Sequence, residues 1–366
     1  MSIKKIIFIH LLNDYSGSPK ILSQVIDSIK KEDYDIALYT GKSEEGFLST
    51  STDNHYFYFY KRFENKFFTL ATFMLSQVHL FVKLLKYRND NVLFYVNTML
   101  PFGAGLAGKI MNKPVIYHIH ETSLKPASFK FFLRFIVKTS ANKVLFVSNS
   151  LKNRESFKMI PQKVIYNALP ITFIKMAEKN NYKPLKNGYF NVLMVCSLKE
   201  YKGVNEYIHI SQQCQHHSKI KFTLILNAQQ TELDEYFKKI KLPQNITLLT
   251  QQTNLIPFYQ NTSLLLNLSR IDQWVETFGL TIIEAMAFGI PVIVPPVGGP
   301  TEIVEDEKEG FLISSYEIEK ISKLIQQLST NEIQCLKLSK NAREKSKQFD
   351  TLNFEKNITT NISAIV

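Results

Sequence analysis

Two carboxylates stand eight residues apart at the start of the stretch ETFGLTIIEAMAFGIPVIV, residues 276–294. The second, Glu284, lies inside a run, LTIIEAMAF, that holds no other charge. An ionised carboxylate among Leu280, Ile283, Met286 and Ala287 costs several kcal/mol, or shifts its pKa, unless it meets a cation or a polar ligand. The pattern predicts a helix over Thr281–Phe288, stopped by Gly289 and Pro291. Gly279 just ahead of it leaves the first backbone N–H groups open, and with the helix dipole these make an anion site. VGGPTEI, residues 297–303, is a second glycine-rich turn opening on a helix. Two such loops after neighbouring strands mark the ligand edge of an α/β sheet. A phosphate at the amides and a hydroxyl-bearing group at Glu284 together describe a nucleotide or a nucleotide-sugar.

Two more stretches carry chemistry-bearing side chains. HIHET, residues 118–122, closes an apolar run that reads as a strand, and strand alternation puts His118 and His120 on one side. A His-x-His metal pair is the competing reading, but no third or fourth ligand stands at suitable spacing. KPASFKFFLRFIVKTSANK, residues 125–143, is basic, aromatic and amphipathic: Lys130, Arg134 and Lys138 recur every four residues beside Phe131, Phe132 and Phe135. Eight basic residues and one acidic residue lie between Lys125 and Lys158. That composition suits anionic lipid headgroups, or a buried apolar face with a solvated cationic edge. The apolar helix expected over 66–88 is a second candidate of the same kind.

The elements that must position these residues alternate along the chain. Strands are expected at 4–10, 34–40, 56–60, 91–97, 114–120, 143–150 and 163–170, separated by helices that include 66–88 and 102–112. In the loop NDYSGSPK, Ser18 is expected as the helix cap with Pro19 at the first helical position. A lysine- and asparagine-rich stretch follows, and the pattern restarts with strands at 190–196, 221–227, 245–250, 262–269 and 291–296. Helices are expected near 203–215 and 230–240, and over 315–328, 331–348 and 351–364. Short β-branched runs of this kind suit parallel sheets covered on both faces. The fold class is therefore α/β, with two Rossmann-like doubly wound domains facing a cleft. The expected boundaries are an N-terminal domain over 1–172, a linker over 173–188 and a C-terminal domain over 189–349, with a final helix near 350–366 packing back on the first domain.

ETFGLTIIEAMAFGIPVI, followed by GGPTEIV and EGFLI, resembles the E-x7-E region of the retaining GT-B glycosyltransferases of family GT4, the glycosyl transferases group 1, over about 40 contiguous residues. The first half matches that family by pattern and short motifs. The resemblance implies that Glu284 holds the ribose of a nucleotide-sugar, that Glu276 contacts the sugar near its reacting carbon, and that the Phe278, Gly279 and Leu280 amides bind sugar or diphosphate oxygens. In VCSLKEYKGV, residues 195–204, Lys202 matches the family's diphosphate-binding lysine, whereas Ser197 stands where the family usually has arginine. Lys199 is the candidate to supply the missing charge. YSGSPK resembles the family's glycine-rich first loop, with Gly17 allowing close backbone approach, and His120–Glu121 matches its His-acid pair, the histidine contacting the donor sugar or aiding transfer.

The implied activity is transfer of a sugar from a UDP-, GDP- or dTDP-linked donor to a hydroxyl of a glycan or polyprenyl-diphosphate-linked acceptor, with retention. Bacterial surface polysaccharide synthesis, O-antigen or capsule, is the expected setting. No cofactor and no metal is expected, with helix dipoles and basic side chains in the role a cation plays elsewhere. The alternative is a GT-B-like sugar-nucleotide-binding protein or epimerase without transferase activity; the serine at 197 favours the binding protein.

Composition sets the frame around these motifs. At 366 residues the chain suits two domains. Its charge of +12 favours anionic partners, and no nucleic-acid-binding motif appears. Lys130, Arg134 and Lys138 are therefore assigned to the acceptor or to an anionic membrane surface. Three cysteines outside any CxxC pattern suit a reducing compartment, so a cytoplasmic location is expected, with attachment at the inner face of the cytoplasmic membrane.

Overall fold

Runs of β-branched and aromatic residues become strands because both of their faces are covered: in Lys5–Ile9 (β1) four of five residues are buried, and in Val92–Asn97 (β4) all six. The computed structural model describes residues 3–42 and 45–365. It divides into two units, Met1–Ala168 with Leu352–Val366, and Leu169–Thr351.

The first unit runs from β1 through α1 (Gly17–Ile29), β2 (Asp35–Gly41), β3 (His55–Tyr58), α2 (Lys66–Leu84), β4, α3 (Phe102–Met111), β5 (Val115–Ile119), α4 (Ala127–Ser140), β6 (Lys143–Phe146) and α5 (Asn149–Glu155) to β7 (Gln162–Val164). Its seven strands are parallel in the order β3-β2-β1-β4-β5-β6-β7. The second unit holds α6 (Ile171–Glu178), β8 (Phe190–Ser197), α7 (Val204–Gln213), β9 (Ile220–Asn227), α8 (Gln230–Phe237), β10 (Ile246–Leu249), α9 (Ile256–Gln260), β11 (Leu264–Leu266), α10 (Leu280–Ala287), β12 (Val292–Val294), α11 (Pro300–Ile303), β13 (Gly310–Leu312), α12 (Ile318–Thr330) and α13 (Glu332–Ser346). Its six parallel strands run β10-β9-β8-β11-β12-β13. The last helix, α14 (Thr351–Ser363), lies with the first unit, where Glu355 pairs with Lys31 at 2.6 Å.

Each sheet reverses its strand order once, between β1 and β4 in the first unit and between β8 and β11 in the second. Helices leave to opposite faces at such a point and open a crevice beyond the carboxyl ends of the strands. The candidate residues gather at these two places.

Three expectations need correction. The stretch read as a linker over 173–188 begins with α6, which is part of the second unit because Phe173 packs its ring on Tyr259 and Phe288, at 6.1 and 5.4 Å. Further along it, Tyr182 donates to the Ser263 carbonyl. The cap of α1 is Ser16 rather than Ser18, and the helix begins at Gly17, because the Asp14 carboxylate accepts from Ser16 N–H at 2.9 Å and sets the turn ahead of it. Strand β13 was not expected from periodicity; Gly310 sits there because a Cβ would meet the Val292 carbonyl at 2.0 Å, so only glycine lets the two backbones approach.

Candidate functional site

In the second unit, β8 ends at Ser197 and the chain turns through Lys199 to Lys202 before α7 begins. Gly203 makes that turn at φ +81, where a Cβ would lie 2.2 Å from the Leu268 carbonyl. The contact clamps the Lys202 loop onto the segment after β11. Lys202 Nζ then lies 2.7 Å from Glu276 Oε2, and Ser269 Oγ donates to the same carboxylate oxygen at 3.3 Å. Burial by itself raises the Glu276 carboxyl pKa. The Lys202 ammonium, with Ser269 and Asn267, outweighs it and holds the group below the usual carboxylate value. Burial likewise works to lower the Lys202 pKa, and Glu276 overrides it upward. Both groups are therefore charged at neutral pH, each with a modest opening to solvent, 19% and 15% of the side chain.

The Glu276 loop is pinned from its other side. Gly299 N–H donates to the Glu276 carbonyl at 2.9 Å, and a Cβ on Gly298 would stand 2.3 Å from that carbonyl. The second glycine-rich turn thus serves as the bed on which residues 276–278 lie. Phe278 buries its ring against Phe349, and Gly279, at φ +108, opens α10 with no side chain capping its first turn. Leu280 is the first helical residue. One turn on, Glu284 is buried, 3% exposed, and accepts from Tyr259 Oη at 2.7 Å. The Tyr259 ring stacks on Phe288, so an aromatic pair holds the carboxylate's partner in place.

Lys199 is exposed and forms no ion pair among the described residues. The arginine close to this loop in space, Arg270, pairs with Glu206 on α7 at 2.7 Å, and its N–H donates to the Tyr201 carbonyl. It ties the Lys202 turn to the segment after β11, and no arginine takes the place of Ser197. Burial pushes the Cys196 thiol up to about 12, so it is no nucleophile at neutral pH.

In the first unit, three neighbouring strands end in polar residues. His10 follows β1, Asn97 closes β4 and His120 follows β5. Asn97 joins them: its Oδ1 lies 2.9 Å from His120 Nε2, its carbonyl 3.2 Å from His10 Nδ1, and its Nδ2 donates to the Ser18 carbonyl at 3.2 Å. The last bond attaches the first turn of α1, and with it Gly17, to the same sheet edge. Burial, then His118 and His10 nearby, hold the His120 pKa well below its ordinary value. The ring is neutral at pH 7, and because Asn97 Oδ1 can only accept, Nε2 carries the proton and Nδ1 is the basic nitrogen. His118 lies beneath it, fully buried, with Tyr95 Oη 2.8 Å from its Nδ1 and the two imidazoles 4.4 Å apart.

Glu121 is buried and accepts from Met99 N–H at 2.6 Å and His120 N–H at 3.1 Å. Burial raises its pKa to about 7 in spite of those amides. In the unfolded chain the group returns to its usual value, so folding takes up a proton between the two. Its contribution to stability is complete below about pH 4.5 and lost as the pH rises through about 7. Glu121→Gln should remove that slope: wild type loses melting temperature relative to the variant steadily from pH 4.5 to 7 and stands below it at pH 7. Two parallel melting curves across the window would contradict the assignment.

Lys130 and Arg134 do not form a free basic stripe. Both close on the buried carboxylate of Glu155, Arg134 Nη1 at 2.5 Å from Oε2 and Lys130 on Oε1, where Thr122 Oγ1 also donates. Lys138 stays exposed in the last turn of α4.

Sequence reasoning missed Asn97, His10, Ser269, Asn267 and Tyr259. The first four carry a readable signal, a polar residue directly after an apolar strand run: KIIFIH, VLFYVN and LLLNLS. Tyr259 carries none, since its pairing to Glu284 spans 25 residues.

Two Rossmann-like units with polar residues at both switch points define the GT-B fold. Residues 176–345, nearly all of the second unit, match the family model of glycosyl transferases group 1. Over almost the full chain the structure is similar to HepE of Anabaena in complex with UDP and glucose, at TM-score 0.81 and 20% identity, covering 98% of this chain and 99% of that one. It is also similar to a glycosyltransferase from Rickettsia africae, at TM-score 0.76 and 17% identity, covering 100% and 99%. Among sequences, it is 26% identical over 264 residues to the capsular polysaccharide biosynthesis glycosyltransferase CapM of Staphylococcus aureus, covering 65% of this chain and 68% of that protein. It is 44% identical over 71 residues to a sucrose synthase of Denitrovibrio acetiphilus. That match spans 18% of this chain and 9% of the relative's length.

Proposed function

We propose that the chain transfers a sugar, with retention, from a nucleotide-sugar to a hydroxyl of a glycan or lipid-linked acceptor in bacterial surface polysaccharide synthesis. The observation that carries this reading is the second unit's switch point. Glu276 paired with a charged Lys202, an uncapped helix start at Gly279 and a buried carboxylate at Glu284 follow one another along the chain in the order sugar, diphosphate and ribose have in a nucleotide-sugar. Lys202 and the amides at Gly279–Leu280 meet the charge of the diphosphate as it departs, without a metal ion. Glu276, beside Lys202, contacts the sugar near its reacting carbon. Glu284, oriented by Tyr259, takes the ribose hydroxyls. For His120 we propose contact with a sugar or acceptor hydroxyl, with Asn97 orienting the ring. The likeness to a capsular polysaccharide enzyme supports the setting, and the likeness to a UDP complex supports the donor class.

The chain's one tryptophan, Trp274, stacks on Tyr201 at 4.8 Å with Lys202 Nζ 6.0 Å from its ring, so its fluorescence reports directly on this pocket. Titration with UDP, GDP and dTDP should give one saturable change, confirmed by calorimetry. Glu284→Ala should weaken that nucleotide about tenfold to a hundredfold, the worth of a charged hydrogen bond. No binding of any nucleotide by either method would end the donor reading.

A further inference from the structure

An unusual surface lies in the first unit, on helix α2. Helix α2 buries Phe73, Ser76, Gln77, Leu80 and Leu84, the stripe expected of a helix packed on a domain. The side away from that stripe should be polar and is not. Phe67 is 83% exposed, Leu75 60%, Val78 61% and Val82 57%, with Leu70 and Met74 also open. Over Lys66–Tyr87 the mean hydropathy is 1.5, and 28% of the most apolar stretch is buried.

The segment before the helix extends this surface. Phe57, Phe59 and Phe63 are each close to half exposed. They are laced to the edge of α2: Lys83 Nζ donates to the Phe57 carbonyl at 2.7 Å, Phe59 N–H to His79 Nδ1 at 3.1 Å, and Thr72 Oγ1 to the Lys61 carbonyl at 2.6 Å. Aromatic loop and helix therefore present one continuous apolar face, about 28 Å long at 1.5 Å per residue.

The charges around it have one sign. Lys61, Arg62 and Lys66 stand at the entry of α2, and Lys83, Lys86 and Arg88 at its exit. Glu64 is the single acidic residue between Tyr56 and Arg88. A second copy of the chain on a two-fold axis would bring these cationic ends together and repel. An anionic bilayer satisfies both halves of the pattern, taking the apolar face among its acyl chains and the two cationic ends among its headgroups. The helix lies on such a surface rather than crossing it, because its other side belongs to the fold. Gln77 Oε1 accepts from Gly103 N–H at 3.1 Å, and a Cβ on Gly103 would come within 2.3 Å of the Gln77 carbonyl.

We propose that this face, α2 with the aromatic segment before it, is a docking surface for an anionic lipid bilayer. It replaces the α4 stripe as the membrane-contacting element, since Lys130 and Arg134 are committed to Glu155. The inference does not depend on the donor chemistry above.

The test is co-sedimentation of the full chain with phosphatidylglycerol/phosphatidylcholine vesicles and with phosphatidylcholine alone, alongside light scattering. Wild type should bind the anionic vesicles, and binding should weaken about tenfold or more when salt is raised from low to molar concentration, which shortens the screening length. The double variant Leu75→Glu/Val78→Glu, whose side chains are already exposed, should melt like wild type and bind at least tenfold more weakly. Lys138→Glu on α4 should bind as wild type does. Three results would overturn the proposal: no binding of wild type to anionic vesicles, equal binding by the double variant, or a wild-type dimer that the double variant dissociates.

Discussion

A Glu276→Gln variant is expected to lose about 10²–10³ in kcat/KM toward its preferred nucleotide-sugar while keeping its affinity for the free nucleoside diphosphate. The carboxylate lies 2.7 Å from Lys202 and is charged in the resting protein, so the amide removes a full negative charge from the point where, in the proposed reaction, positive charge would develop on the sugar. The diphosphate keeps its partner, because Lys202 is untouched by the change. Lys202→Met should do the reverse, weakening the nucleoside diphosphate itself. Both variants should also lose some stability, since the partner left behind is mostly buried. Steady-state kinetics with titration of the free nucleotide separates the two roles. Equal loss of nucleotide affinity in both variants would mean that the pair acts only as a structural clamp.

The second large effect is on folding. Glu155 is almost completely buried and is neutralised from two directions by Lys130 and Arg134. Replacing both cations, as Lys130→Met/Arg134→Met, leaves a buried carboxylate with only the Thr122 hydroxyl and should cost about 3–5 kcal/mol. In a domain of this size that lowers the melting temperature by roughly 10 °C. Adding Glu155→Leu to the pair should recover much of the loss, because an uncharged trio has nothing left to neutralise. Thermal melts of the double and triple variants decide the matter. A double variant that melts like wild type would return these cations to the surface role their spacing suggested.

That spacing shows where sequence reading stopped. Lys130 and Arg134 recur at a helical interval, so they share a face, and this much was legible. Their acceptor lies on α5, beyond β6, and periodicity says nothing of which face meets which later element. The same holds for Lys202 and Glu276, 74 residues apart, and for Tyr259 and Glu284. The strand–helix alternation, the helix at α10 with glycine at its start, and the burial of Glu284 were legible because each is written locally. The linker was misread for a related reason. Its lysines and asparagines are polar, but Phe173, Tyr182 and the Asn180 amide on the Phe288 carbonyl fasten it to the second unit. The cap falls at Ser16 rather than Ser18 because the bond that sets it runs backward, from the Ser16 N–H to the Asp14 carboxylate.

The measurement that tests the account most directly is nucleoside diphosphate release from a panel of UDP-, GDP- and dTDP-sugars, comparing wild type with Glu276→Gln and Glu284→Ala. Wild type should consume one nucleotide class, Glu276→Gln should bind the donor but scarcely turn it over, and Glu284→Ala should need much more of it. A wild-type protein that neither binds nor consumes any of these donors, or variants that match it, would contradict the account.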